Sequence, residues 1–363
     1  MVPWLLVYCL STAVAATSHA ERHAALVPGS ATLLTAAAAS YDQLRARSKK
    51  TCQHYVFGFS NGHVGTTTMD DHSFYHDPES TTGFGFEVVG LWKHGPWHAW
   101  RAPSTVAEEV QFVNSTYLPA LWKATSPGGA QKKACVDLSH TNLFFFRGLL
   151  KVLREANLPF KLVRVRRDAV ELALSLLTQV PTGGAGPDHL VTAYRPFEAP
   201  DARVLQLKGD PRATWNKLTD FQKALWMIDE VEAQWLRNID ANSKKGSLTV
   251  DWSRSDRTHG DPFVENAAKP VAKFLGLPLK SHVGDKKQHT DGKKVDARVL
   301  KTDLHHLHAY QSMMLAECVH FHALAPQLPT SRAIAGRRAA LEALEGKQED
   351  QDARASGDVT DSF

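Results

Sequence analysis

The stretch YVFGFSNGHVGTTT, residues 55–68, has the order of an apolar strand, a short flexible loop and hydroxyl residues that open a helix. Loop amides and a helix N-terminus point unpaired N–H groups at one spot, so this order suits a phosphate group. Gly62 and Gly65 let the backbone approach an anion closely. Thr66 stands where the GxxxxGK[ST] loop of nucleoside triphosphatases requires lysine. Taken alone, the pattern fits an ordinary strand-to-helix turn equally well.

A second strand–turn–helix segment occupies residues 161–175, about one hundred residues farther along the chain. Arg167 ends the predicted strand, and Asp168 with Glu171 forms a helix-capping pattern. Ser175 follows two helical turns later on the same face. Arginine offers a planar fork of donors that matches phosphate oxygens. For either residue alone, a surface arginine or a serine bonded to its own helix is the alternative, but together with the first loop they indicate a second phosphate site.

These two segments resemble the P-loop sulfotransferase family, whose carbohydrate or Golgi-type members and related algal or bacterial-like members use 3'-phosphoadenosine-5'-phosphosulfate as donor. The likeness covers roughly residues 50–320. It implies that Arg167 and Ser175 hold the 3'-phosphate of the donor. It also implies a set of 5'-phosphosulfate ligands in the first loop: Ser60, Asn61, Gly62, His63, Val64, Gly65, Thr66 and Thr67. His63 falls where the family commonly has Lys or Arg, so the charge at this position depends on pH.

Two further segments fit the same resemblance. The sequence VAKFLGLP, residues 271–278, looks like a structural segment of the family. The basic loop at residues 284–294 is similar to the loop that closes over the 3'-phosphate, which makes Lys293 and Lys294 candidate donor ligands. The residue order in this loop differs from the usual form of the family. A solvated basic loop is therefore the equal alternative.

The candidate catalytic residues are His140 and His63. Sulfuryl transfer needs an aligned acceptor, stabilisation of charge on the departing phosphate and removal of the acceptor proton. By resemblance, His140 occupies a place comparable to the catalytic histidine of cytosolic members and would be the general base, while His63 would donate to the leaving phosphate. A histidine that caps a helix is the alternative for His140. His94, His98 and the pair Asp70–Asp71 are rival bases.

Acceptor binding is expected at residues 92–101, which gather three tryptophans, two histidines and two cations. The candidate acceptor ligands are Trp92, His94, Trp97 and His98. Indole faces stack on sugars and on aromatic groups, although tryptophans more often pack in a core. The acceptor implied by lumenal relatives is a glycan or a small hydroxylated molecule. The chain contains no HExxH motif or similar ligand cluster, and no metal cofactor is expected.

The fold class follows from the alternation of strand-like runs with longer segments of helical period. The strand-like runs are Tyr55–Ser60, Lys161–Arg166, Arg203–Leu207 and Leu248–Trp252. Apolar stripes at residues 143–153 and 218–235 predict helices that pack on a sheet. This alternation predicts an α/β fold with a central parallel sheet flanked by helices, and the resemblance makes it a three-layer fold of the P-loop NTPase type.

The ends of the chain differ in composition from its middle. Residues 1–20 read as a signal peptide or short signal anchor and residues 21–49 as an Ala-rich stem. The sulfotransferase domain is expected at residues 50–328, followed at 329–363 by a helical segment and a tail that is disordered from Gly346. These features predict the secretory pathway, with the protein secreted or in the Golgi lumen. Asn114 begins a glycosylation sequon that is usable there if its loop is exposed.

Cysteines and net charge add little about function. Outside the presumed signal, Cys52, Cys135 and Cys318 form an odd set without metal-ligand spacing. A Cys52–Cys135 bridge is compatible with an oxidising lumen, but three buried free thiols are the expectation. The net charge of +4 over 363 residues is spread along the chain, so no nucleic-acid partner is expected and a membrane contact only through the N-terminus.

The sequence therefore predicts an enzyme that transfers a sulfuryl group from 3'-phosphoadenosine-5'-phosphosulfate to a hydroxyl or amine, with a glycan as the expected acceptor. Two alternatives stay open. One is another P-loop enzyme, a nucleotide kinase or nucleoside triphosphatase, against which the lysine missing at Thr66 argues. The other is a catalytically silent relative that binds glycans, which the imidazole at His63 leaves open.

Overall fold

The computed structural model describes residues 30–62, 64, 82–85, 105–126, 128–178, 195–197, 203–239, 246–253, 261–277 and 296–357. The residues from Ser48 onward form one compact unit. Within the described ranges five strands form one sheet, and every neighbouring pair of strands is parallel. The α/β class and the parallel sheet predicted from the alternating pattern are confirmed.

The sheet has the order β2-β3-β1-β4-β5, so the first strand lies at its centre. Its members are β1 (Cys52–Phe59), β2 (Thr82–Gly85), β3 (Lys132–Asp137), β4 (Phe160–Arg167) and β5 (Ser247–Trp252). Three of the predicted strands match β1, β4 and β5 within three residues at each end. Because all pairings are parallel, the carboxyl ends of the strands meet at one edge, which we call the carboxyl edge.

Helices of the described ranges precede, connect and follow these strands. They are α1 (Ser30–Thr51), α2 (Val106–Phe112), α3 (Leu118–Thr125), α4 (Phe146–Glu155), α5 (Ala169–Thr178), α6 (Pro211–Lys217), α7 (Asp220–Asn238), α8 (Lys269–Leu275), α9 (Ala297–Glu317), α10 (Phe321–Leu324) and α11 (Pro329–Gly357). The predicted cap of α7 is present, because Thr219 and Gln222 form a reciprocal capping box. A 3₁₀ segment, His140–Phe145, precedes α4.

Helices cover both faces of the sheet. The register of the strands places Phe59 and Trp252 on opposite faces. On one face, the ring of Phe59 packs 4.2 Å from that of Phe146 in α4 and 5.5 Å from that of Trp235 in α7, measured between centroids. On the other face, Trp252 meets Phe263, just before α8, edge to face at 5.3 Å. This arrangement is compatible with the predicted three layers.

The strand predicted at Arg203–Leu207 is wrong. The amides of Val204 and Leu205 donate to the carboxylate of Glu230, which lies in α7 and is fully buried, at 2.6 to 3.1 Å. Leu207 makes only an isolated bridge with Cys318. A side-chain carboxylate has thus taken the amides that a neighbouring strand would otherwise bind.

The disordered tail predicted from Gly346 is also wrong as far as Gly357, because α11 continues to that residue. Ala, Arg and Glu favour helix formation even where no apolar stripe is present. The first turn of α11 is attached to the core at Asp229 of α7. This buried carboxylate accepts from the Thr330 amide at 3.2 Å, the Thr330 hydroxyl at 2.7 Å and the Tyr310 hydroxyl at 3.1 Å.

The expectation of three free thiols is corrected by a disulfide between Cys52 and Cys135, whose Cα atoms lie 5.8 Å apart. The two residues are close because β1 and β3 are adjacent and Cys135 pairs with Tyr55. Cys318 is free and buried.

The predicted signal segment lies outside the described residues, and no helix within them is long and apolar enough to cross a bilayer. Asn114 of the sequon lies in a π-helical segment, Val113–Tyr117, rather than in an exposed loop.

Breaking the disulfide should lower the stability of the unit. The bridge closes a loop across 83 positions, and a crosslink of this length stabilises a protein by about 4.5 kcal/mol in the chain-entropy model. We expect the double variant C52S/C135S to lose about this much free energy of unfolding in urea titrations. The variant Cys318→Ala under the same oxidising conditions separates loss of the bridge from loss of a buried thiol. Alkylation of Cys52 and Cys135 in denaturant without reductant would contradict the bridge.

Stability should also depend on pH through Asp229, because burial raises the pKa of its carboxyl to about 7. A folded-state pKa above the unfolded value favours folding below about pH 4, and this contribution is lost as pH rises through 7. Between pH 5 and pH 8 we expect D229N to gain about 3 kcal/mol relative to the wild type. Urea unfolding of both proteins at the two pH values measures this, and a difference that is constant with pH would contradict the assignment.

Candidate functional site

The loop after β1 begins at the carboxyl edge with buried polar residues. Ser60 and Asn61 are buried, and Gly62 adopts φ 75°, a left-handed conformation that favours glycine. The Gly62 amide lies 3.5 Å from the Ser60 hydroxyl, which accepts from it. The Nδ2 group of Asn61 is buried and has no hydrogen-bond partner among the described residues. A buried donor of this kind is costly, so it marks a place where a polar ligand or water is expected.

Arg167 ends β4 at the same edge. Phe59 pairs with Arg164, so Arg167 lies three residues beyond the end of β1 and level with its loop. The Arg167 residue is only 8% exposed, and its guanidinium carbon lies 4.8 Å from the centroid of the Trp252 ring. Its Nε donates to the Glu171 carboxylate at 3.2 Å. Burial, stacking and an ion pair hold the planar group in one orientation.

The indole of Trp252 joins the two predicted phosphate segments. Its Nε1 donates to the carbonyl oxygen of Val64 at 3.0 Å, and its ring carries the guanidinium of Arg167. Val64 is fully buried. The loop after β1 and the end of β4 are therefore in contact with the same side chain.

A cavity of about 630 Å³ opens beside Arg167 at the carboxyl edge of β4 and β5. Its walls come from the ends of these strands and from helices α5, α9 and α11. Charged residues supply much of its lining, including Arg166, Arg167, Arg332 and Arg337. Its volume lies in the range of pockets that hold small molecules and cofactors.

Arg337 of α11 links two other parts of the cavity wall, Asp168 before α5 and Asp303 in α9. Its guanidinium donates to both carboxylate oxygens of Asp168, at 2.8 and 2.9 Å, and to Asp303 of α9 at 2.8 Å. Burial tends to raise the pKa of the Asp168 carboxyl, but the hydrogen bonds and charge of Arg337 outweigh it and lower that pKa. These partners likewise outweigh burial for Arg337 and raise the pKa of its guanidinium. Both groups are therefore charged at neutral pH.

Asp168 also begins α5, as the sequence predicts. Its Oδ1 accepts from the amides of Val170 at 3.0 Å and Glu171 at 3.1 Å. Ser175 lies two turns farther along this helix and is partly buried. The described lining of the cavity includes Arg167 but not Ser175. The two predicted 3'-phosphate ligands thus share one strand–helix unit, and only Arg167 is placed at the cavity.

The turn that leads to His140 is fixed by a buried carboxylate. Asp137, at the end of β3, accepts from the Ser139 amide at 2.9 Å, the Ser139 hydroxyl at 2.5 Å and the Tyr117 hydroxyl at 2.7 Å. Burial raises the pKa of the Asp137 carboxyl above its usual value. His140 is the first residue of the 3₁₀ segment, and its side chain lies outside the described part of the structure.

This turn touches the end of β1. The Nδ2 group of Asn142 donates to the carbonyl oxygens of Gly58 and Asp137, each at 3.2 Å. A Cβ at Gly58 would lie 2.5 Å from the backbone of Leu138, so only glycine fits this approach. His140 is thus placed at the carboxyl edge beside the end of β1, on the side of β1 opposite to β4.

Many predicted site residues lie outside the described residues, so their roles stay predictions. These are His63, Gly65, Thr66 and Thr67 of the first loop, Lys293 and Lys294 of the basic loop, Trp92, His94, Trp97 and His98 of the acceptor segment, and the rival bases Asp70 and Asp71. Within the described ranges, no three His, Cys, Asp or Glu side chains are grouped as ligands of one metal ion would be.

Among the residues of the cavity wall that the sequence did not predict are Trp252, Arg332 and Arg337. Trp252 was read only as the end of a strand, and no local signal shows that its indole N–H reaches a loop 188 residues earlier. The two arginines belong to the segment that the composition placed outside the folded domain. Their helical spacing of five residues, without an apolar stripe, gave no reason to assign them to a site.

Comparison of the chain with protein-family models, with curated proteins and with solved structures finds no match. The geometry of the site therefore carries the functional argument by itself.

Proposed function

We propose that this protein is a sulfotransferase of the P-loop type that moves a sulfuryl group from 3'-phosphoadenosine-5'-phosphosulfate to a hydroxyl or amine. The observation that carries the proposal is the shared contact of Trp252 with Val64 and Arg167. A donor with a 5'-phosphosulfate and a 3'-phosphate needs two anion-binding segments about one nucleotide apart. The contact of the loop after β1 and the end of β4 with one side chain supports such an arrangement.

The position of these segments in the sheet supports the same proposal. The chain places β3 on one side of β1 and then crosses to β4 on the other side. Open parallel sheets bind ligands in the crevice beyond the carboxyl ends of strands where the order reverses in this way. The first loop, the end of β4 and the turn at His140 all lie at this place.

In the proposed reaction the acceptor oxygen or nitrogen attacks the sulfur atom in line with the leaving phosphate. The bond between sulfur and the bridging phosphate oxygen breaks, and its electron pair stays on the 5'-phosphate. His140 takes the acceptor proton as general base. His63 and the amides of the first loop donate hydrogen bonds to the oxygen that gains charge.

The proposed acceptor is a glycan or another hydroxylated molecule, and the proposed compartment is the secretory pathway. Trp92, His94, Trp97 and His98 would bind a glycan or another hydroxylated acceptor through stacking and hydrogen bonds. The Cys52–Cys135 disulfide supports a location in the secretory pathway, because such bonds persist in oxidising compartments.

Binding of the desulfated donor, 3'-phosphoadenosine-5'-phosphate, tests the proposal. We expect the protein to bind it more tightly than ATP in isothermal titration calorimetry. Arg167→Ala should weaken this binding about 100-fold, because a charge-assisted bond to phosphate is lost. Arg154→Ala is the matched control, since Arg154 lies at the end of α4, away from the carboxyl edge. Tighter binding of ATP would instead favour a kinase or nucleoside triphosphatase.

The proton-transfer role of His140 has a separate readout. His140→Ala should lower kcat for sulfate transfer by about 10² to 10⁴ and leave the KM for the donor within a few-fold of the wild type. Transfer of labelled sulfate to a panel of glycans and small hydroxylated acceptors measures both constants. His322→Ala, at an exposed histidine of α10, serves as control. An unchanged kcat would refute the assignment, and donor binding without any transfer would indicate a silent relative.

A further inference from the structure

The edge of the sheet opposite to the carboxyl edge, which we call the amino edge, has a strong excess of positive charge. The starts of the central strands β1, β3 and β4 lie there, in the segments 48–54, 123–133 and 155–161. These segments contain six lysines and one carboxylate, Glu155, an excess of five positive charges against +4 for the whole chain. Glu155 pairs with Lys151 of the preceding helix turn. Folding thus gathers at one edge charges that are spread along the sequence.

Two contacts bring the starts of β1 and β3 together. Lys49 and Lys50 lie in the last turn of α1, directly before β1. Cys52, the first residue of β1, pairs with Lys132 of β3 in the strand register. The side chain of Gln131 donates to the carbonyl oxygen of Lys49. The basic end of α1 therefore lies beside the basic start of β3.

The imidazole of His54 lies within electrostatic reach of lysines from both neighbouring strands. Burial lowers the pKa of this imidazole, and the charges of Lys161 in β4 and Lys133 in β3 lower it further. These two strands flank β1, so their axes lie about 10 Å apart. The Lys161 ammonium lies 5.0 Å from the centroid of the Phe274 ring in α8, which favours one orientation. The lysines therefore form a row across three strands.

This row is open to solvent and lacks nearby carboxylates. Lys49, Lys50, Lys133 and Lys161 are all exposed. None of them belongs to an ion pair within the described part of the chain. A surface with charge of one sign attracts polyanions and speeds their association.

The shape of the row favours an extended polymer as the partner. Its cations are spread over three strands instead of converging on one point, so a small ion would contact only one or two of them. The segments also lack an apolar anchor for a bilayer. The large apolar side chains that are exposed among the described residues all lie elsewhere: Leu174, Val299, Leu315, Val319 and Leu344.

The disulfide favours a glycan over a nucleic acid. The Cys52–Cys135 bond joins β1 and β3 within this basic region, so the lysines are held together by a bond that persists in oxidising compartments. The polyanions of such compartments are sulfated and carboxylated polysaccharides.

We propose that the amino edge is a docking surface for an acidic polysaccharide, whose sulfate or carboxylate groups pair with Lys49, Lys50, Lys133 and Lys161. The eight residues of β1 separate this surface from the carboxyl edge by about 26 Å, a distance that a polymer can span. That the docked glycan is also the sulfate acceptor rests on the proposed function.

Binding of a heparin oligosaccharide of defined length, measured by isothermal titration calorimetry without donor, tests the surface. We expect the triple variant K49Q/K50Q/K133Q to bind it about tenfold to a hundredfold more weakly than the wild type, because three exposed charge pairs are lost. Binding by the wild type should weaken as salt is raised. Equal binding by the wild type and the triple variant would overturn the proposal.

The matched control K217Q/K301Q/K347Q removes three exposed lysines of α6, α9 and α11 and should bind the oligosaccharide like the wild type. An equal loss in this control would show that net charge, rather than the amino edge, governs binding, and would overturn the proposal. Tighter lysine-dependent binding of single-stranded DNA, or of vesicles that contain an anionic phospholipid, would overturn the choice of a polysaccharide.

Kinetics separate docking from catalysis. K49Q/K50Q/K133Q should raise the KM for an acidic glycan acceptor about tenfold and leave kcat and KM for a small uncharged acceptor within about twofold. An unchanged KM for the acidic glycan would refute its docking as acceptor. Lysine-dependent binding of the heparin oligosaccharide without sulfate transfer to any acceptor would leave the docking surface standing and refute the sulfotransferase proposal.

Discussion

The contact of one indole with the first loop and with the end of β4 determines the geometry of the carboxyl edge. Trp252 ends β5 directly beside Arg167, because the two residues are paired in the strand register. Its flat face supports the guanidinium at 4.8 Å, while its N–H reaches the carbonyl oxygen of Val64 at 3.0 Å. Tryptophan combines a large apolar surface with a single donor, and both are used here. The spacing between the first loop and the end of β4 therefore depends on this side chain.

Around this indole, charged side chains form ion pairs with one another. Glu171 binds Arg167, and Asp168 binds Arg337. Buried ion pairs add little net stability, since the cost of removing both charges from water offsets their attraction. Their effect here is positional: each carboxylate restricts the rotamers of a guanidinium that faces the cavity. A phosphate bound there as proposed would find donors already oriented, which would reduce the entropy lost on binding.

Local patterns predicted those parts of the fold that are decided locally. The apolar runs gave β1, β4 and β5, and Thr219 with Gln222 marked the start of α7. Features that depend on residues far apart in the sequence left no local pattern from which they could be predicted. The disulfide depends on β1 and β3 being adjacent in the sheet. The predicted strand at residues 203–207 does not form, because its amides donate to Glu230, which lies 25 and 26 residues later. In the site, Arg167 was predictable because its motif is contiguous, whereas Arg332 was not because α11 reaches the cavity only in the folded chain.

The Cys52–Cys135 bond lies in the amino-terminal half of β1, away from the loops of the carboxyl edge. A covalent fastening at that end prevents the two central strands from sliding past one another. If the protein binds a nucleotide as proposed, the first loop and the turn at His140 extend from two neighbouring strands whose mutual position is covalently fixed.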